Sequence, residues 1–276
     1  MFARASRRCA EPAQENRVAH QFLTSTFGLQ GRTVLVTGGA SGLGLCMAAT
    51  AGQAGARVIV NDVRDAACNE AVEGLRAQGI DARGAVFDVS SAAAVSDAVA
   101  ALAAARWSPD VLVSNAGNQN RAPVVEQDPA VWQSIFDVHV NGAFHCARAV
   151  LPGMISQGGG RIIITSSVAA LACMPGIAAY SAAKGALAAF TRALAVEYGG
   201  QGVTCNALAP GFVRTGFTTA LQEREQFNDF LKSQVPLGRW ADPDDIAPAV
   251  VYLASQAGRF VNGHVLAIDG GLLAHM

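Results

Sequence analysis

The chain has 276 residues, of which 51% are hydrophobic and 15% are charged, and its formal net charge is −1 at pH 7. Such a chain can bury a sizeable core, and it has no basic stripe, so we do not expect nucleic acid as a partner. No apolar run reaches the ~18 residues of a membrane span, so we expect no membrane association. The cysteines are scattered without metal-binding spacing, which is typical of reduced thiols in a cytoplasmic protein and predicts no metal site.

Residues 1–28 differ in composition from the rest of the chain. They contain several arginines, two glutamates and no apolar segment that would form a secretory signal. The glutamates also argue against a transit peptide. We therefore predict a disordered extension over residues 1–28 and a single domain over residues 29–276.

A glycine-rich turn follows the first predicted strand, Thr33 to Thr37. The turn runs from Gly38 to Gly44 and leads into an Ala-rich, apolar helix. Strand, glycine turn and helix form the context that a phosphate-binding motif requires, because glycines let the backbone approach a pyrophosphate and a helix N-terminus favours its charge. The turn is therefore predicted to bind a dinucleotide.

An acidic residue, Asp62, follows the second predicted strand, Arg57 to Asn61. A carboxylate at this position can accept hydrogen bonds from the adenosine ribose and repel a 2′-phosphate, which predicts NAD as the cofactor. The alternative is that Asp62 caps the helix that begins near Asp65. Arg64 is the nearby residue that could accommodate NADP.

Tyr180 and Lys184 lie four residues apart in an Ala-rich helix that begins near Ala178. They share one helix face, and Ser167 stands at the end of the preceding predicted strand, Ile162 to Thr165. A nearby ammonium lowers the pKa of a phenol from its usual value of about 10, which brings it closer to the range that acid–base catalysis needs. The three residues predict a proton-transfer site, although a surface Tyr and a surface Lys would show the same spacing.

Strands and helices alternate along the remaining chain. Further strands are predicted at residues 82–87, 111–114, 203–208 and 265–268, with helices at residues 66–78, 91–105, 130–155 and 178–199. This alternation predicts an α/β fold, a doubly wound Rossmann-type parallel sheet with helices on both faces. Ligands bind beyond the carboxyl ends of such strands, and the motifs all lie at those ends.

The ordered motifs resemble those of the short-chain dehydrogenase/reductase family over residues 28–276. The matching pieces are Thr37–Gly44 (TGxxxGxG), Asp88, Asn115-Ala116-Gly117, Ser167, Tyr180-x-x-x-Lys184, Asn206 with Pro210-Gly211, and Asp269-Gly270-Gly271. The resemblance implies hydride transfer between a secondary alcohol and NAD(P). Tyr180 would be the catalytic acid/base, Ser167 would orient the substrate oxygen, and Lys184 would lower the pKa of the Tyr and bind the nicotinamide ribose. A homotetramer is also implied.

The same resemblance assigns a set of residues to the cofactor. They are Thr37, Gly38, Ser41, Gly42, Leu43, Gly44, Asp62, Asp88, Val89, Asn115, Ala116, Gly117, Tyr180, Lys184, Pro210, Gly211, Val213 and Thr215. One further position departs from the family pattern. The family usually has an Asn that starts the segment Asn-x-x-Gly, and His139 occupies that position here. The Asn helps to anchor a water in a proton relay through the Lys. A His can also hydrogen-bond water, so we place His139 among the catalytic residues.

A narrower resemblance is to the gluconate 5-dehydrogenase subgroup of the family. It rests on the segments Asn61–Arg64, Asn115–Arg121, Gln226–Phe227 through Arg239–Trp240, and Phe260–His264. In that subgroup the Arg of the loop NAG-x-x-x-R would meet the carboxylate of a sugar acid, and Arg121 matches it; the alternative is a solvated loop Arg. Arg121, Ser167, Tyr180 and Phe212 would then bind substrate beneath a mobile lid over residues 212–235.

Two other functions remain open at this point. The enzyme could reduce a 3-oxoacyl thioester or another ketone in place of a sugar acid or polyol. A non-catalytic nucleotide-binding protein with a dehydrogenase fold is the alternative from a different class, and His139 is its one support. The intact Ser167, Tyr180 and Lys184 argue against it.

Overall fold

A single parallel sheet forms the centre of the computed structural model, which describes residues 12–275. Its strands are β1 (Thr33–Val36), β2 (Arg57–Asp62), β3 (Ala82–Val86), β4 (Val111–Ser114), β5 (Gly160–Thr165), β6 (Val203–Pro210) and β7 (Val265–Ile268). They hydrogen-bond in the order β3-β2-β1-β4-β5-β6-β7, and every neighbouring pair is parallel. The chain therefore has the doubly wound Rossmann-type fold that the sequence predicted.

Helices cover both faces of the sheet. They are α1 (Pro12–Phe27), α2 (Gly42–Gln53), α3 (Asp65–Ala77), α4 (Ala92–Ala104), α5 (Pro129–Phe136), α6 (Gly142–Ser156), α7 (Ala178–Tyr198), α8 (Thr219–Gln222), α9 (Glu225–Gln234), α10 (Pro243–Ile246), α11 (Pro248–Ala254) and α12 (Leu272–His275). Among residues 12–275, none of these helices is long and apolar enough to cross a membrane.

The core has two layers because successive side chains of a strand point to opposite faces of the sheet. Leu35 and Ile59 pack on the face covered by α4, α6 and α7. Val36 and Val60, their neighbours in the chain, pack on the face covered by α2, α3 and α11. These side chains are fully buried, and burial of each contributes about 1.5–3 kcal/mol to stability. Each of these strands thus contributes side chains to both layers.

The helix predicted over residues 130–155 is interrupted. α5 ends at Phe136, a π-helical turn covers Asp137–Asn141, and α6 begins at Gly142. A π-helical turn shifts the side chains that follow it around the helix axis, and such turns are frequent at functional sites. His139 lies inside this turn and is buried. The π-helical turn therefore sets the direction of the His139 side chain.

Residues 12–27 form α1, a helix, where the sequence predicted part of a disordered extension. Pro12 stands at the first helical position, which suits its fixed backbone angle. The helix lies near the turn Gln256–Gly258, and the side chains of residues 18–27 remain largely exposed, with Phe22 at 59%. Residues 1–11 lie outside the described residues, so their disorder stays a prediction.

The predicted lid, residues 212–235, is tied to the domain by aromatic packing. The ring of Phe212 meets Phe227 edge-on with centroids 5.1 Å apart, and it meets Trp240 at 6.0 Å. The indole nitrogen of Trp240 donates a hydrogen bond of 2.7 Å to Asn228. This cluster holds α8 and α9 over the carboxyl ends of the strands.

Candidate active site

A cleft of about 940 Å³ opens at the carboxyl ends of the strands. Its walls come from the glycine turn after β1, from the loops after β2 to β6 and from the lid. All the predicted cofactor, substrate and catalytic residues line it, with the exception of Thr37. Long-range folding has therefore brought the separate sequence motifs into one site.

Thr37 lies beneath the cleft instead of in its wall. Its side chain is buried, and its hydroxyl oxygen accepts hydrogen bonds from the backbone amides of Asn115 and Ala116. The side-chain amide of Asn115 donates in turn to the backbone oxygens of Thr37 and Gly38. Thr37 thus joins the turn after β1 to the loop after β4 and would influence a cofactor only through that loop.

The glycine turn fits a dinucleotide. Gly42 has φ +52°, in the left-handed region that favours glycine, and a Cβ at Gly44 would overlap the carbonyl oxygen of Gly38. Ser41, the N-cap of α2, makes no side-chain hydrogen bond to the first turn of the helix. The amide groups of that turn therefore remain available to an anionic ligand such as a pyrophosphate.

Asp62 sits at the end of β2 with its side chain 8% exposed. Its carboxylate accepts hydrogen bonds from the backbone amide of Arg64 at 3.1 Å and from the guanidinium of Arg64 at 3.0 Å. The N-cap of α3 is Arg64, so the alternative of Asp62 as a helix cap is excluded. Both residues face the cleft, which places an acid and a base at the predicted adenosine end of the site.

Ser167, Tyr180 and Lys184 come together where β5 ends and α7 begins. The Nζ atom of Lys184 donates a hydrogen bond of 2.6 Å to the backbone oxygen of Thr165, and it lies 5.4 Å from the centroid of the Tyr180 ring. Burial lowers the pKa of Lys184 to about 7. Burial raises the pKa of Tyr180, whereas the Ser167 hydroxyl and the charge of Arg121 lower it. The group can exchange protons within a largely enclosed space.

His139 is 2% exposed and lies against Tyr180, with the two rings edge-on and their centroids 5.6 Å apart. Its Nε2 atom is 2.8 Å from the backbone oxygen of Asn118, while Nδ1 has no hydrogen-bond partner within the described part of the chain. Burial, with the charge of Lys184, lowers the pKa of His139 to about 3, so the ring is neutral near pH 7. The residue at the family's Asn position therefore does adjoin the predicted acid/base.

Arg121 lies in the loop after Gly117 and lines the cleft. No carboxylate of residues 18–275, whose side chains the structure describes, forms a salt bridge with it. Burial and the charge of Arg224 lower its pKa. A cation in this setting can bind an anionic group of a ligand.

Gln119 and Phe217 are among the residues of the cleft wall that the sequence reasoning missed. Gln119 donates a hydrogen bond from its side chain to the backbone oxygen of Phe217, and the Phe217 ring lies 6.0 Å from the Tyr180 ring. These contacts connect the loop after β4 to the lid above the acid/base. Gln119 lies within the segment Asn115–Arg121 and Phe217 lies within the predicted lid, but the resemblance assigned neither residue a role.

A cradle for a dinucleotide and a proton-transfer group thus open into the same cleft, which is the arrangement of a nicotinamide-dependent oxidoreductase. The sequence profile of the family described as "Enoyl-(Acyl carrier protein) reductase" matches residues 38–273. Together with the relatives below, this match shows that the chain belongs to the short-chain dehydrogenase/reductase family. It is an NAD(P)-dependent oxidoreductase that acts on CH–OH groups.

Several relatives match nearly the whole chain. Gluconate 5-dehydrogenase of Gluconobacter oxydans (strain 621H) is 39% identical over 246 residues, which is 89% of this chain and 96% of the relative. 5-keto-D-gluconate 5-reductase of Escherichia coli (strain K12) is 36% identical over 251 residues, 91% of this chain and 99% of the relative. The crystal structure of a gluconate 5-dehydrogenase from Burkholderia cenocepacia J2315 in complex with NADP and tartrate superimposes with a TM-score of 0.90 at 37% identity, covering 92% of this chain and 99% of that one.

Proposed function

We propose that this enzyme oxidises or reduces a sugar acid or a related polyol, in the manner of gluconate 5-dehydrogenases. The observation that carries the proposal is the position of Arg121, a cation without a carboxylate partner among the described residues, in the same cleft as Ser167 and Tyr180. A guanidinium matches a carboxylate in a bidentate fork, which a neutral ketone cannot use. The names of the relatives point to the same class of substrate.

The chain's own residues would supply proton transfer and orientation. The nicotinamide cofactor, when bound, donates or accepts the hydride. Tyr180 exchanges a proton with the reacting oxygen of the substrate, and Ser167 holds that oxygen by a hydrogen bond. Lys184 binds the nicotinamide ribose and, in its charged form, favours the phenolate of Tyr180. The half-buried ring of Tyr180 and the lid residue Phe217 limit the access of water.

His139 would continue the proton path from Lys184. One ring nitrogen, Nε2, faces Asn118, so Nδ1 is the atom left to hold a water. The neutral ring can accept a hydrogen bond from that water through Nδ1. His139 would thus take over the water-anchoring role that the resemblance gives to the family's Asn.

Asp62 would make NAD(H) the preferred cofactor. Its carboxylate is placed to accept hydrogen bonds from the adenosine ribose, and its charge disfavours a 2′-phosphate. Arg64 already neutralises part of that charge, since its guanidinium lies 3.0 Å from the Asp62 carboxylate. NADP(H) is therefore a usable but weaker cofactor in this proposal.

Assembly as a homotetramer is supported by apolar surface on the helices named in the sequence analysis. On α6, Phe144 is 46% exposed, and on α7, Val196 is 86% exposed. Ala182 and Ala189 of α7 are also exposed, and such small residues permit close helix–helix approach. We place the protein in the cytoplasm, where reduced thiols persist, because the described cysteines Cys46, Cys68, Cys146, Cys173 and Cys205 are all free.

A substrate screen tests the proposed function. Purified protein is assayed with sugar acids, uncharged polyols, small ketones and a 3-oxoacyl thioester, each with NAD(H) and NADP(H). We expect the highest kcat/KM with a sugar acid such as gluconate or its 5-keto form. Activity confined to the thioester or to neutral ketones would replace the sugar-acid assignment with the ketone reductase alternative.

A further inference from the structure

The wall of the cleft beside Ser167 and Tyr180 is built largely from apolar side chains. They come from the segment between β5 and α7 and from the lid. They include Val168, Met174, Ile177, Phe217, Leu221 and Phe230. The part of the cleft that would hold the body of a substrate is therefore apolar on two sides.

This apolar wall begins next to the residues that would meet the reacting oxygen. Val168 directly follows Ser167 and belongs to the same buried cluster as Leu221 of the lid. The ring of Phe217 lies 6.0 Å from the ring of Tyr180. A substrate held by Ser167 and Tyr180 would therefore place its neighbouring carbon atoms against apolar surface.

Polar side chains of the same wall are engaged within the protein. The side-chain nitrogen of Gln119 donates a hydrogen bond to the backbone oxygen of Phe217. The Thr218 hydroxyl donates one of 2.7 Å to the backbone oxygen of Val213 and accepts one of 2.8 Å from Gln222. A site that hydrogen-bonds a substrate hydroxyl rejects the analogue without it by about 10⁴–10⁵-fold, whereas an apolar wall has no such preference.

Arg121 places a cation beside this apolar wall. The backbone amide of Ala122, the next residue, donates a hydrogen bond of 3.0 Å to the backbone oxygen of Gly176. This bond joins the loop that carries Arg121 to the segment that carries Met174. The cleft thus combines a group that can bind an anion with a surface that can enclose an apolar chain.

We propose a further activity, the reduction of oxo acids in which an apolar chain separates the ketone from the carboxylate. Arg121 binds the carboxylate, and the apolar wall encloses the chain. The reduction adds a hydride from NADH to the ketone carbon, the carbonyl π electrons move to the oxygen, and that oxygen takes a proton from Tyr180. The products are the hydroxy acid and NAD⁺, and solvent returns the proton to Tyr180. This activity rests on the anion-binding part of the proposed function and not on the sugar hydroxyls.

Three ketones separate the contributions of the hydroxyls and of the carboxylate. The 5-keto form of gluconate has both, 5-oxohexanoate has the same chain length and ketone position without hydroxyls, and 2-hexanone has a methyl group in place of the carboxylate. We expect kcat/KM for 5-oxohexanoate with NADH to lie within about a hundredfold of that for the 5-keto form of gluconate. The value for 2-hexanone should be about 10- to 100-fold below that for 5-oxohexanoate, and Arg121→Ala should remove this difference.

A pair of variants tests the apolar wall itself. Met174→Gln places an amide of nearly equal size in the wall and should lower kcat/KM for 5-oxohexanoate about fivefold. The 5-keto form of gluconate should be affected less, because the amide can bond a hydroxyl. Leu171→Gln is the matched control, because Leu171 lies in the same segment, is 62% exposed and is not part of the cleft wall. Thermal unfolding establishes that both variants are folded.

The outcomes distinguish this activity from the proposed function. A kcat/KM for 5-oxohexanoate more than about a hundredfold below that for the 5-keto form of gluconate would mean that the site requires hydroxyls, and the further activity fails while the sugar-acid assignment stands. Reduction of 5-oxohexanoate without use of any sugar acid would have the opposite meaning. Equal values for 5-oxohexanoate and 2-hexanone in wild type would overturn the role of Arg121 in this activity, and equal losses in the Met174 and Leu171 variants would overturn the role of the wall.

Discussion

Lys184 donates a hydrogen bond from Nζ to the backbone oxygen of Thr165, the last residue of β5. This bond of 2.6 Å ties α7 to the sheet within 5.4 Å of the Tyr180 ring. Lys184 is 3% exposed, and among the described residues its ammonium donates a hydrogen bond to Thr165 alone. A bound ribose would give it further acceptors, which links cofactor binding to the protonation of Tyr180.

The first prediction concerns Tyr180 and Lys184. Tyr180→Phe should abolish turnover and leave NADH binding nearly intact, because only the proton donor is removed. Lys184→Ala should lose both turnover and cofactor affinity. Steady-state kinetics and fluorescence titration with NADH measure the two effects. Removal of a general acid should lower kcat by ~10²–10⁴-fold. If Tyr180→Phe keeps more than about a few per cent of kcat, another group donates the proton.

The second prediction concerns Asp62 and Arg64. We expect wild type to have a higher kcat/KM with NAD(H) than with NADP(H), measured with one substrate. Arg64→Leu should weaken the use of NADP(H) further, because the 2′-phosphate would then meet the unbalanced carboxylate. A clear preference of wild type for NADP(H) would contradict the role of Asp62 and identify Arg64 as a phosphate partner.

Arg121→Ala is the third test and addresses the substrate class. Hydrogen bonds to charged groups contribute roughly 1.5–3 kcal/mol, so losing one should lower kcat/KM for gluconate about 10- to 100-fold. A matched uncharged polyol should be affected little. Equal losses on both substrates would remove the sugar-acid assignment and leave the broader alcohol dehydrogenase activity standing.

The fourth prediction is a pH dependence of stability that arises from His139. Its pKa is about 3 in the folded protein and 6.5 in the unfolded chain, so only the unfolded state gains this proton as the pH falls below 6.5. The contribution of neutral His139 to the free energy of unfolding is therefore fully present above pH 6.5 and is lost on acidification. Between about pH 7.5 and 5.5, wild type should lose about 1.4 kcal/mol more unfolding free energy than His139→Gln, measured by urea denaturation. Parallel losses in the two proteins would mean that His139 is protonated in the folded state.

The fifth prediction concerns assembly. Light scattering should give the mass of a homotetramer at micromolar concentration, because α6 and α7 present apolar side chains to solvent. Val196→Glu would place a charge on the exposed part of α7 and should shift the mass downward. A monomeric wild type would show that these surfaces do not mediate self-association.

The sequence by itself determined the order of elements and the chemistry at the strand ends. Apolar runs of strand length and glycine turns are local patterns, so β1 to β7 were predicted within a few residues. The spacing of Tyr180 and Lys184 follows from helix geometry, and Ser167 follows from its place after a strand. Because carboxyl ends of parallel strands share one edge, the meeting of these motifs in one cleft was also predictable.

Only the tertiary structure determined the contacts between the loops that join those motifs. The π-helical turn at Asp137–Asn141, the bond from His139 to Asn118 and the contact of Gln119 with Phe217 have no local sequence pattern. The two contacts join residues that are 21 and 98 positions apart in the chain, so packing and burial select them over alternatives of equal local propensity. Asp62 shows the same division. Its distance from the glycine turn suggested the ribose role, but only the folded backbone showed that Arg64, and not Asp62, occupies the N-cap position of α3.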